Sequence, residues 1–225
     1  MTKKQFSPLI FLASLGAGGI SVIPFALLQY TYPHGKGLIS LSHINHDNLS
    51  FLQGIYFYSL EGVMVLFSLL HIGLSVYLIP KLFKWLKSQQ FRDTRTDPLK
   101  NSVLLAPFIS LVMTMNVFIG PIRFFIPYMS QNLQNFMVPA FLLWTVIWFA
   151  LIATDITLLK ISFVNNFDVK QINFGWLLHP FALAMLTVTG TGIAAMSQNS
   201  SIAHSAVFLS FVSGTMAFFL FIVKL

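Results

Sequence analysis

The chain has few residues equipped for chemistry: six carboxylates, six histidines and no cysteine among 225 residues. Two of them, Glu61 and His71, stand inside an apolar run. An acid at the centre of a bilayer costs about 2.5–3.5 kcal/mol on insertion scales, so such residues are candidates for binding substrate or protons. Glu61 lies near the outer end of its run, where it can instead pair with Arg123. His71 follows roughly 80° around the helix from Glu61, so the two share no tight face; the other reading of His71 is a satisfied neutral core histidine. A polar stretch holds His34 and the string His43-Ile44-Asn45-His46-Asp47, which offers metal donors without a strong zinc spacing. His179 is a further donor that could join His71 in a redox or metal bundle, although their depths differ. Asp155 lies about one helical turn from Lys160 and reads as an interfacial anchor. No nucleophile stands beside a base, no carboxylates pair, and no phosphate loop is present, so the sequence gives no footing to an enzyme or a cofactor.

The second class of candidates is uncharged. The stretch Phe174 to Met196 is long enough to cross a bilayer, yet it carries Pro180 and then Thr187, Thr189, Gly190, Thr191 and Gly192. A helix that only faces lipid has no use for these, so the stretch reads as a kinked helix lining a passage. Helical spacing puts Thr187 and Thr191 on one face and Thr189 on another. Similar residues occur in two other runs: Gly16, Gly18 and Gly19 before Pro24, and Ser110, Thr114 and Asn116 after Pro107. Neutral hydroxyls and backbone groups freed at proline kinks can pass a solute without holding it tightly. The expected lining is therefore Gly16, Gly18, Gly19, Ser110, Thr114, Asn116, Thr187 and Thr191, with kinks at Pro24, Pro107 and Pro180. Gly16 to Gly19 also fit a plain packing seam.

These residues need helices to position them, and the composition supplies the class. The chain is 56% hydrophobic and 8% charged, against about 25% charged in soluble domains. Six apolar runs, near 8–30, 56–79, 101–122, 136–159, 174–196 and 202–223, are long enough to span. Backbone groups in lipid must bond internally, so the runs are helices. The expected fold is all-α, a polytopic helical membrane protein in which 1–225 form one transmembrane domain of three hairpins. The net charge of +7 does not call for nucleic acid, because its placement encodes orientation. Lys3, Lys4, Lys81, Lys84, Lys87, Arg92, Arg95, Lys100, Lys160, Lys170 and Lys224 fall on one side, and only Lys36 and Arg123 on the other. The excess marks the cytoplasmic side, with both termini there; a bacterial inner (plasma) membrane fits this style. Pro80 to Lys100 forms the main cytoplasmic loop, and its first part, KLFKWLKSQQF, extends the second helix into the headgroup region.

Runs three and five match in detail. Ala106-Pro107-Phe108 and His179-Pro180-Phe181 stand at the same depth, about 73 residues apart, which reads as an internal repeat of one hairpin. Ile23-Pro24-Phe25 matches in letters but not in depth. Runs two, four and six are rich in Phe, Leu, Trp and Val. Kinked, polar-spotted odd helices and greasy even ones imply an inner ring surrounded by an outer one.

Four segments carry a family resemblance: Phe11 to Ser21 (FLASLGAGGIS), Asp97-Pro98-Leu99-Lys100, the third run with its early proline and later Met, Thr and Asn, and Trp176-Leu177-Leu178-His179-Pro180. With these the chain resembles the tellurite-resistance and C4-dicarboxylate transporter family, which includes the plant slow anion channels. The resemblance implies part of a ten-helix, five-hairpin fold whose odd helices line a pore, trimeric assembly, and passage of anions such as chloride, nitrate, malate or sulfite. The chain departs from the family in two ways. Leu99-Lys100 stands where the family has an arginine after the proline, and only six of ten spans are present, leaving four to follow Leu225 or to be supplied by assembly. The family's gating phenylalanine belongs to a ninth helix, so Phe25, Phe108 and Phe181 inherit no role. The expected function is membrane transport of small anions, with the lipid bilayer and copies of the chain as partners. The alternatives are a non-conducting membrane subunit and a redox or metal-binding bundle.

Overall fold

The computed structural model describes residues 6–35, 37–164 and 174–223. The described residues are helix and connecting loop, without strand. Six helical segments are long and apolar enough to cross a membrane: Pro8–Thr31, Phe51–Leu86, Asn101–Phe125, Leu133–Val164, Phe174–Met196 and Ser200–Val223, here spans one to six. Of the topogenic residues named above, Lys3, Lys4, Lys36, Lys170 and Lys224 lie outside the described residues. The end of the bundle that carries Lys81 to Lys100 is called the basic end below.

Span three is the centre of the arrangement. It packs on span one on one side and span five on the other, while span two runs along span one and span six along span five. Span four packs more extensively on span five than on span three. Half of the most apolar window is buried in spans three and five, against 22% in spans two and six. Side-chain size explains this order. Gly190 of span five has Trp144 of span four and Ser210 of span six so close that a Cβ would meet them at 2.3 and 2.2 Å. Gly18 of span one likewise abuts Met113 and His71. Even spans add more than grease, because the indoles of Trp144 and Trp148 donate to the carbonyls of Leu186 and Leu209 at 3.1 Å each.

Each odd span begins with a 3-10 turn, Pro8–Ile10, Asn101–Leu105 or Phe174–Leu177, before the α-helix starts at Phe11, Ala106 or Leu178. Pro107 and Pro180 therefore fall in the first α-helical turn and not at mid-helix kinks. There a missing N–H is tolerated, since the first N–H groups have no partner one turn back. Pro24 does lie well inside its helix, which continues through it to Thr31. The irregular stretch of span three is elsewhere: Phe118–Ile122 forms a π-helical turn around Pro121. A wider turn relieves the clash between the proline ring and the carbonyl a turn back.

Span two is longer than its apolar run. It continues through Pro80 to Leu86 as 36 residues, about 54 Å, well beyond a hydrocarbon core of about 30 Å. Its amphipathic tail and the short helix Gln89–Thr96 make up the basic loop. Ahead of span three, Asp97 accepts from the Leu99 N–H at 2.9 Å and pairs with Lys100 at 2.8 Å. Burial works to raise the Asp97 carboxyl, but the Lys100 and Leu99 hydrogen bonds and the Lys100 charge outweigh it and hold the group below the usual carboxylate range.

At the opposite end the polar loop is folded down onto the bundle. Ile39 and Ile44 are buried with Phe25, Leu28, Phe57, Met64 and Phe124. Gln29 holds the loop by donating to the Gly37 carbonyl at 3.1 Å and accepting from the Ile39 N–H at 2.7 Å. Gly35 and Gly37 make the turn at φ of 78° and 99°, a region that side chains with a Cβ rarely adopt.

Candidate functional site

Glu61 does not pair with Arg123. Its carboxylate bonds to His46 Nε2 at 2.8 Å, and His46 Nδ1 donates to the Ile44 carbonyl at 3.0 Å. The folded loop brings the histidine down to the acid. Arg123 is 1% exposed and donates to the carbonyls of Ile119 and Ile39 and to the Ser130 hydroxyl, with its guanidinium over the Phe25 ring. It clamps the loop onto span three. Of the remaining loop histidines, His34 Nε2 donates to the Gln29 carbonyl at the end of span one at 3.0 Å, and His43 Nδ1 lies 2.8 Å from the Ser40 hydroxyl. Among the described residues no group of three or more His, Cys, Asp or Glu is placed to hold a metal.

His71 is fully buried and ties three spans together. Its Nδ1 donates to the Ser14 carbonyl of span one at 2.7 Å, and its Nε2 lies 2.9 Å from the Thr114 hydroxyl of span three. The Ser14 hydroxyl in turn meets Ser75 at 2.7 Å and donates to His71 O at 3.1 Å. A neutral imidazole with its proton on Nδ1 satisfies this network, as it can then accept from Thr114.

The expected lining residues separate into groups. Gly18 is a packing glycine, whereas Cβ atoms at Gly16 and Gly19 would meet nothing within 4 Å. Thr187 turns toward span six, where its hydroxyl lies 2.9 Å from Ser213, and Thr191 is exposed and donates back to the Thr187 carbonyl. Thr189, set apart by helical spacing, donates to Asn116 of span three at 3.0 Å across a separation of 73 residues. The two equivalent positions of the repeat thus meet each other.

Ser110 and Thr114 reach a cavity of about 850 Å³. Span three forms its floor with Pro107, Phe108 and Leu111; Ser75 and Ile79 of span two and Thr154 and Thr157 of span four form its sides. Arg95 of the short helix stands at the basic end, and among the described residues no Asp or Glu lines the space. The cavity therefore lies against span three between even-numbered spans, and not between the odd ones. Neither Ser75 nor Arg95 stood out in the sequence, because each becomes part of the wall only when span two and the short helix fold beside span three.

A second polar centre lies on the other side of span four. Asp155 is fully buried and hydrogen-bonds through Oδ1 to Nδ1 of the equally buried His179 of span five. It is not a surface anchor for Lys160, which is exposed. Trp176 packs on the His179 ring, centroids 5.9 Å apart, and its indole donates to Pro98 O at 3.1 Å. Nearby, Asn101 at the start of span three donates to Leu158 O and to Ser162 of span four at 3.1 and 3.0 Å. The pair was accessible to sequence reasoning: span four ends and span five begins at the same end of the bundle, so a late acid and an early histidine can meet.

No family model, curated protein or solved structure matches the chain.

Proposed function

We propose that this protein transports small anions, inorganic anions or C4-dicarboxylates, across the membrane in which its six spans reside. The observation that carries the reading is the cavity against span three: its wall has hydroxyls from Ser75, Ser110, Thr114, Thr154 and Thr157 and the cation Arg95, and among the described residues no acid. Arg95 is exposed at the mouth of this apolar space, and a positive charge there raises the local anion concentration. Hydroxyls offer weak coordination that an anion can leave, once the O–H groups of Thr114, Thr154 and Thr157 turn from the carbonyls of Ser110, Ala150 and Ala153 that they bond. The family resemblance supports the same substrate class, and it suggests that copies of the chain assemble, three together in that family, in a plasma membrane.

Flux of nitrate or malate into proteoliposomes containing the purified chain tests the proposal. Arg95→Glu is expected to lower flux at least about tenfold, while Arg95→Lys retains most of it. Absence of anion flux from the assembled wild-type protein removes the reading and favours a non-conducting subunit.

A further inference from the structure

We infer that Asp155 and His179 form a reversible one-proton site that couples proton movement to anion passage. The coupling rests on the anion reading; the site rests on its own geometry. Both side chains have 0% exposure. Each uses one atom on the other and keeps one buried atom, Asp155 Oδ2 and His179 Nε2, without a hydrogen-bond partner among the described residues. Two more buried atoms at the start of span three, Asn101 Oδ1 and Ser102 Oγ, are in the same condition. Orphan buried atoms also occur at Ser68, Thr145 and Ser210, but Asp155 Oδ2 and His179 Nε2 sit on a carboxyl and an imidazole bonded to each other, and their free lone pairs can take up a proton.

Charge points the same way. With one proton between them, Nδ1–H donates to the carboxylate and the pair carries one negative charge inside an apolar bundle. A second proton, on Nε2 or Oδ2, brings the pair to net neutrality and lowers the cost of an uncompensated buried charge. Among the described residues no other charge is placed to do this. The elements packed around the pair carry Arg92, Asp93 and Arg95 on the short helix, Asp97 and Lys100 before span three, and Lys160 on span four. Asp97 and Lys100 pair with each other, and among the described residues none of the six forms an ion pair with Asp155 or His179. Two donors are too few for a metal site, so the bound species is a proton. Its place suits coupling: Thr154 and Leu158, on either side of Asp155 in span four, both line the cavity. Gain or loss of the proton alters how span four is held against span five, and with it one wall of the cavity.

Two measurements on the full chain in proteoliposomes decide this. The first follows the His179 ring by heteronuclear NMR and the protonated carboxyl band by infrared spectroscopy as pH is varied. The expected result is a single proton gained on acidification, lost in Asp155→Asn and in His179→Gln. No change at either group across the pH range in which the protein stays folded overturns the site. The second records an entrapped pH dye while a nitrate gradient is imposed. Wild type is expected to move protons with nitrate, and Asp155→Asn to lose the proton movement while nitrate still passes. Should Asp155→Asn fail to fold, His179→Gln serves in its place. Proton movement that survives in the variant overturns the coupling. A protein that titrates but passes no anion overturns the transport reading and the coupling, and leaves the proton site standing.

Discussion

Glycines and imidazoles in this chain look alike as letters and are made different by their neighbours. Gly16, Gly18 and Gly19 lie within one turn, yet only Gly18 has a neighbouring side chain where its Cβ would go. Gly18→Ala is expected to cost about 1–3 kcal/mol by forcing Met113 and His71 aside. Gly190→Ala, between Trp144 and Ser210, should cost at least as much. Gly16→Ala and Gly19→Ala should remain within about 0.5 kcal/mol of wild type. Thermal unfolding in detergent compares the four directly; equal effects at Gly16 and Gly18 would contradict this packing. His71 and His179 differ in the same way. The first has both ring nitrogens bonded to neighbouring spans and so fixes helices in place, whereas the second has one nitrogen without a partner among the described residues.

Among the helices, the repeat is the feature that packing turns into an interaction. Spans three and five share a 3-10 lead-in, a proline in the first α-helical turn and a polar residue further along, and those polar residues, Asn116 and Thr189, bond across the interface. A double-mutant cycle with Asn116→Leu and Thr189→Val is expected to give a coupling energy of about 0.6 kcal/mol, the average for hydrogen bonds between membrane helices. A coupling indistinguishable from zero would mean that the helices are held by packing alone. The short lead-ins also set where Pro107 and Pro180 fall: a 3-10 turn places them at the start of an α-helix, where proline is accommodated. The irregularity that does occur, the π-helical turn at Pro121, leads directly into Arg123 and helps aim it at Ile39.

Across the molecule, orientation in the bilayer follows from where the basic residues lie, and the absence of cysteine makes it straightforward to measure. Asn48→Cys, in the folded loop, is expected to react with an impermeant thiol reagent from outside the cell. Lys87→Cys, at the basic end, should react only after the membrane is opened. The reverse pattern would invert the topology. The molecule also joins two sites through one helix, since span four contributes Thr154 and Leu158 to the cavity and Asp155 to the buried pair. That shared element is what allows a charge change on one side to be felt on the other.

Membrane class, six helices and the importance of spans three and five were legible in the chain, because length, apolarity and a repeated proline are local properties that the bilayer constrains strongly. The direction in which a polar side chain points is not local. Spacing separates the face of Thr187 and Thr191 from that of Thr189, but it cannot say which face meets a neighbour. That depended on how closely glycines let spans four and six approach span five. The partner of Glu61 was hidden for the same reason: a twenty-residue polar stretch gives no sign in its letters that Ile39 and Ile44 will be buried and bring His46 to the acid. Sequence order thus named the helices and the end at which Asp155 and His179 could meet, while side-chain packing decided that they do and that Ser110 and Thr114 open onto a cavity beside Arg95.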